Sequence, residues 1–224
     1  MKKLVRDDFI QKSGETLRAI LETIEKQPDL DIREVEPEKT VLVIVDMING
    51  FAREGALKSP RVEALIPQIC ELSKLCDKYN IKKLAFADSH TNKSPEFDAY
   101  PAHCLNGTPE SEVVDEIKDI GGYKLIEKNS TNGFIEEEFQ KWLAENPKIN
   151  TFIVVGVCTD ICIQQFAVTL KTYYNIKDMK SRVIVPLDAV DTYDLGQHNG
   201  DLMNVMAIFS MMGNGVEVVM GIRE

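Results

Sequence analysis

The sequence predicts an α/β fold: a three-layer α/β/α sandwich on a six-stranded, mostly parallel sheet, with an N-terminal helical extension. Three observations predict it. Six short β-branched runs recur along the chain, helix-like segments separate them, and most of the runs are apolar at nearly every position rather than at alternate ones. A strand that is apolar throughout must be covered on both faces, which is the environment of a parallel sheet flanked by helices.

Taken in order, DDFIQKSGETLRAILETIEKQ (7–27) reads as an extra helix ahead of the first strand. The strand candidates are TVLVIVD (40–46), KKLAFAD (82–88), YKLIEK (123–128), TFIVVG (151–156), SRVIVP (181–186) and GVEVVM (215–220). Between them, helices are expected over 61–79, 110–118, 135–143, 160–174 and 198–211. Thr108-Pro109 has the form of an N-cap followed by proline at the first helical position. With 224 residues, 44% of them hydrophobic, the chain can bury one sizeable core.

Charge and cysteine usage exclude several classes of function. The chain carries 26 Lys and Arg against 36 Asp and Glu, a net charge of −10. No basic block offers the counter-ion release that drives nucleic-acid binding, so nucleic acid is not an expected partner. No apolar run approaches the roughly 20 residues of a membrane span, and no apolar signal core follows the basic residues of MKKLVRDDFIQKSGE. The expectation is a soluble cytoplasmic protein. Its five cysteines are odd in number and too sparse for a disulfide scaffold, so reduced thiols are expected.

In sheets of this kind ligands sit beyond the carboxyl ends of the strands. The first strand candidate ends at Asp46, the second at Asp88 with His90 two residues on, and the third at Lys128; the fourth runs into VVGVCTDICIQQF. If Thr159 caps the next helix, Cys162 sits among unpaired backbone N–H groups, and the helix dipole together with Lys128 favours its thiolate. Asp46 can take the thiol proton and later return it to a leaving amine, which makes an Asp46/Lys128/Cys162 triad for acyl transfer. The backbone N–H groups of Cys158 and Cys162 are placed to line an oxyanion hole. Cys70, Cys76 and Cys104 read as small buried hydrophobes.

A second constellation lies in DSHTNKSPEFDAYPAHC (88–104). Asp88 and His90 point to the same side of an extended segment, and Glu96 and His103 follow in a proline-punctuated loop. Two imidazoles and two carboxylates suit a divalent ion, with zinc the first choice and iron or manganese as alternatives. The remaining histidine, His198, reads as part of a helix cap or the surface.

The stretches DMINGF (46–51), DSH…E…YPAHCLNGT (88–108), KNSTNGF (128–134) and GVCTDICI (156–163) resemble, in order, the motifs of the isochorismatase-like cysteine hydrolases, and within them the nicotinamidase branch. The resemblance runs over about 40–220. It implies one hydrolase domain spanning 1–224, with residues 1–38 as the helical extension. It also implies the Asp46/Lys128/Cys162 triad, a non-proline cis peptide at Val157–Cys158 and self-association into a homo-oligomer. For the nicotinamidase branch it implies a metal on Asp88, His90 and His103, with Glu96 in the place of a variable fourth ligand. Phe51 and Tyr100 would flank the ring of a small amide substrate, nicotinamide, and Val157 would join them at the site. Ile48 departs from the family pattern, where glutamine is frequent. The alternatives are a relative acting on another small amide or carbamoyl compound, and a ligand-binding member of the fold that does no chemistry.

Overall fold

The computed structural model describes residues 5–224. Helix α1 (Arg6–Ile24) leads into a two-residue strand β1 (Leu30–Asp31), and then into β2 (Thr40–Val45), whose six residues are all buried. Helices α2 (Asn49–Ala52), α3 (Pro60–Ala64) and α4 (Ile66–Lys78) precede β3 (Lys82–Asp88). Next come α5 (Asp115–Ile120), β4 (Tyr123–Lys128), α6 (Glu137–Glu145) and β5 (Thr151–Gly156). The chain closes with α7 (Gln164–Asn175), β6 (Arg182–Pro186), α8 (Gly200–Gly213), β7 (Glu217–Val219) and β8 (Ile222–Arg223).

The main sheet has six strands in the order β4-β3-β2-β5-β6-β7, and every pairing in it is parallel. Its two faces divide the apolar residues by parity. Leu42, Ile44, Ala85, Ala87, Ile153 and Val155 face one core with Ile66, Ile69, Leu72, Cys76 and Ile117. Val41, Val43, Val45, Phe86, Phe152 and Val154 face the other, where Phe139, Trp142, Phe166 and Leu170 cover them. Each fully buried side chain of this size contributes about 1.5–3 kcal/mol, so the central strands need apolar residues at both parities. Strand β4 alternates over its second half instead, with Leu125 and Glu127 exposed and Ile126 and Lys128 buried, because it is an edge strand.

Several expected elements differ in detail. The N-terminal extension is more than a helix: β1 pairs in parallel with β8, Leu30 opposite Ile222. The expected 61–79 helix breaks at Leu65, one residue before a segment opened by Ile66 and Pro67, whose missing N–H interrupts the ladder. The expected 110–118 helix is only a 3-10 turn at Pro109–Ser111 followed by α5. Residues 112–114 are drawn into pairing with 47–49: Asn49 N–H donates to Glu112 O and Val114 N–H to Met47 O. Thr108 does not cap with its side chain, since its hydroxyl donates to Leu105 O. In the expected 135–143 helix, a 3-10 turn at Gly133–Ile135 comes first. Helix α8 starts at Gly200, capped by the Asn199 side chain, which accepts from Leu202 N–H.

Candidate active site

Four adjacent strand ends build the site. Asp46 leaves β2 in the left-handed region, φ 54°, with its N–H donated to Phe86 O and its Oδ1 accepting from Asp88 N–H at 3.1 Å. Asp88 and Lys128 end β3 and β4 side by side in register. Strand β5 ends at Gly156, φ +112°, where an added Cβ would stand 2.0 Å from Val45 O, so only glycine fits. The Val157–Cys158 peptide that follows is cis, as the resemblance implied.

Residues Thr159–Ile163 form one π-helical turn ahead of α7. Cys158, not Thr159, holds the cap position, no side chain caps it, and the Thr159 hydroxyl is buried without a hydrogen-bond partner. The Cys158 carbonyl accepts from both Ile161 and Ile163 N–H, and Thr159 N–H donates to Asp191 O. This tight turn aims Cys162 back at the strand ends.

The structure brings the predicted acid, base and thiol together. Lys128 Nζ lies 2.9 Å from Asp46 Oδ2, hydrogen-bonds Asp88 Oδ1 and stands 3.7 Å from Cys162 Sγ. One oxygen each of Asp46 and Asp88 and the sulfur of Cys162 lie within 4.8 Å of one another. Burial pushes Asp46 up to about 7, helped by the Asp88 carboxylate and opposed by Lys128 and Cys162. Burial also raises Asp88, but Lys128 and His90 outweigh it and hold the carboxyl below its ordinary value. Burial lowers Lys128, and the two carboxylates more than reverse that, so it stays an ammonium.

Burial works against the expected thiolate. Burial, with Asp46 and Asp88 adding to it, pushes the Cys162 thiol well above its ordinary value despite Lys128. One ammonium shared between two carboxylates cannot also ionise a buried sulfur. The arrangement sets a thiol that burial pushes up beside a carboxyl that burial also pushes up, a pair between which one proton can move.

The metal donors fit a divalent ion. Asp88, His90 and His103 offer ligand atoms within 4.8 Å of one another, all buried. His103 Nδ1 donates to Pro101 O at 2.8 Å, and His90 Nδ1 donates to Asn129 Oδ1 at 3.1 Å. Both rings therefore turn an Nε2 lone pair toward the site, and His90 Nε2 is buried with no hydrogen-bond partner. Glu96 stands outside the three-residue group, its carboxylate 3.5 Å from His90 Nε2.

Above the thiol lies a mostly apolar cavity lined by Phe51, Leu57, Val62, Tyr100, His103, Ile161, Cys158, Cys162 and Tyr193, with Asp88, Glu96 and Thr131. Among the described residues, no lysine or arginine lines it. Predicted residues Phe51 and Tyr100 are in its wall. Val157 is not: it is fully buried in the core. Ile48 is likewise fully buried core. Cys70, Cys76 and Cys104 are buried and free, as expected.

Two contributors escaped the sequence. Asn129 orients His90 and accepts from Thr91 N–H as well; its position directly after Lys128 was the available signal. His198 is neither cap nor surface: it hydrogen-bonds Asp160 Oδ2 at 2.8 Å and stacks on Tyr193. Nothing in the sequence marks that pairing across 38 residues.

Among known proteins, an Arabidopsis thaliana protein named Nicotinamidase 1 is 31% identical over 207 residues, covering 80% of this chain and 84% of its own. The solved N-carbamoylsarcosine amidase of Thermoplasma acidophilum superposes with a TM-score of 0.65 at 26% identity, covering 81% of this chain and 95% of that one. A pyrazinamidase of Pyrococcus horikoshii, solved in complex with zinc, gives 0.66 at 23% identity, covering 81% and 98%. The isochorismatase domain model matches residues 40–215, and the chain belongs to the isochorismatase family.

Proposed function

We propose that this chain is a cysteine amidohydrolase that converts nicotinamide to nicotinate and ammonia. The observation that carries the reading is buried Lys128, in contact with Asp46, Asp88 and Cys162 beneath a cavity walled by Phe51 and Tyr100. The likeness to the Arabidopsis nicotinamidase supports the substrate.

Phe51 and Tyr100 receive the flat ring. Asp88, His90 and His103 are the residues that would hold a divalent ion, with Glu96 beside them. When bound, that ion supplies a Lewis acid for the pyridine nitrogen. Asp46 takes the Cys162 proton as the sulfur attacks the amide carbon, while the Lys128 ammonium stabilises the charge on both. The carbonyl π pair moves onto oxygen, which the Cys158 and Cys162 N–H groups hold. The C–N bond breaks, ammonia leaves with the proton from Asp46, and a thioester remains. Asp46 then takes a proton from water attacking the thioester; the C–S bond breaks, and the sulfur recovers its proton. Amide plus water gives acid plus ammonia, and the enzyme is unchanged.

A second reading, hydrolysis of a small carbamoyl compound, has the likeness to N-carbamoylsarcosine amidase in its favour. That no described lysine or arginine lines the cavity weighs against a substrate bearing a carboxylate, as sarcosine does. The test is ammonia release from nicotinamide by purified protein, before and after chelation, with elemental analysis of bound metal. Release that chelation abolishes and added zinc, iron or manganese restores is expected. Protein that holds metal yet releases no ammonia from nicotinamide overturns the substrate.

A further inference from the structure

Asp160 is the second residue of the Thr159–Ile163 turn, two before Cys162, and it has no part in the mechanism above. Its side chain is 14% exposed, its Oδ1 is buried without a partner, and its Oδ2 is held by His198 Nε2 at 2.8 Å. The other ring nitrogen, Nδ1, lies 2.9 Å from Tyr193 O. With a hydrogen-bond partner on each ring nitrogen, the ring is fixed at both edges. One face is fixed too: the imidazole stacks on the Tyr193 ring, centroids 3.9 Å apart and planes 8° from parallel. Tyr193 itself lines the cavity. The same loop grips the neighbouring residue of the turn, since Thr159 N–H donates to Asp191 O and Arg61 Nη2 holds the Asp191 carboxylate at 2.8 Å.

We propose that His198 is a positioning residue for the nucleophile. Through Asp160 it holds the Thr159–Ile163 turn, and with it the Cys162 sulfur and the Cys158 and Cys162 amides, against Lys128 and the bound amide. Without His198 the Asp160 carboxylate has no side-chain partner among the described residues. A largely buried carboxylate left unpaired is costly, and turning it out to water drags the turn with it. Displacing a nucleophile by about an ångström is enough to cost on the order of a hundredfold in rate. The inference rests on the cysteine-amidohydrolase reading.

The experiment compares His198→Ala with His198→Gln, whose amide nitrogen restores a donor to Asp160 without the ring. Two quantities are read: steady-state kinetics on nicotinamide with metal-loaded enzyme, and the rate at which iodoacetamide alkylates Cys162, followed by peptide mass spectrometry. His198→Ala is expected to lower kcat roughly 10–100-fold with a smaller change in KM, and to slow Cys162 alkylation. His198→Gln is expected to recover most of both. If kcat and alkylation in His198→Ala stay within about twofold of wild type, or His198→Gln is as impaired as His198→Ala, the positioning role is overturned. Should His198→Ala not fold, Asp160→Ala against His198→Gln makes the same comparison. Wild-type protein that hydrolyses no nicotinamide would overturn the substrate reading alone, because the alkylation comparison needs no substrate.

Discussion

Replacing Lys128 with methionine removes the one cation that two buried carboxylates share. The side chains of Lys128, Asp46 and Asp88 are 1%, 0% and 3% exposed, so water cannot take over its role. Removing one member of a buried ion pair typically costs about 3–5 kcal/mol. Asp46, already pushed up to about 7, can take a proton when the ammonium is gone, which places the loss near the lower end. A loss of about 3 kcal/mol at about 2–4 °C per kcal/mol, for a chain of this size, lowers Tm by about 6–12 °C. The assay is thermal and urea unfolding in EDTA, which removes any metal that would neutralise Asp88. Adding Asp46→Asn puts a neutral isostere in place of the protonated acid, removes the cost of protonating it, and is expected to return about 1–2 kcal/mol of stability without activity, a non-additive cycle. A Lys128→Met midpoint within about 2 °C of wild type, or a double variant less stable than Lys128→Met, would refute the neutralising role.

Further outcomes follow from the same geometry. Cys162→Ala is expected to abolish ammonia release while the circular dichroism spectrum stays native, and Cys158→Ala to keep activity within about threefold because its backbone does the work. His103→Ala is expected to lose stoichiometric metal by elemental analysis while the apo protein unfolds cooperatively; retained metal would remove His103 from the ligand set. Gly156→Ala is expected to cost more than about 4 kcal/mol and yield little folded protein, because the new Cβ meets Val45 O at 2.0 Å; normal expression and Tm would contradict this.

The main-sheet strands were legible because each is a short run whose residues must satisfy two apolar faces or one, and that demand is written locally. TVLVIV could hardly be anything else. The meeting of Asp46, Asp88 and Lys128 was legible because a parallel sheet delivers its strand ends to one edge, whatever lies between them in sequence. Helix boundaries were less so. Residues 112–114 carry helical neighbours but are claimed by backbone pairing to 47–49, a contact between segments some sixty residues apart. The two-residue β1 depends on a partner at the far end of the chain. Proximity of Cys162 to one lysine is visible in a motif, whereas the burial that raises the thiol and the sharing of that lysine between two carboxylates are not.

The strand order β4-β3-β2-β5 has a consequence for how the site can vary. Lys128, Asp88, Asp46 and the Cys158–Cys162 turn come from four neighbouring strands spaced by about 4.8 Å, so these groups form a single rank across the sheet. Sliding any one strand by a residue would shift its member by about 3.3 Å and turn it to the opposite face. The inter-strand hydrogen bonds thus act as the scale on which the chemistry is aligned. Variation is confined to what overhangs that rank, the loops bearing Tyr100 and Tyr193, where a new ring or amide can be accommodated without touching the alignment beneath.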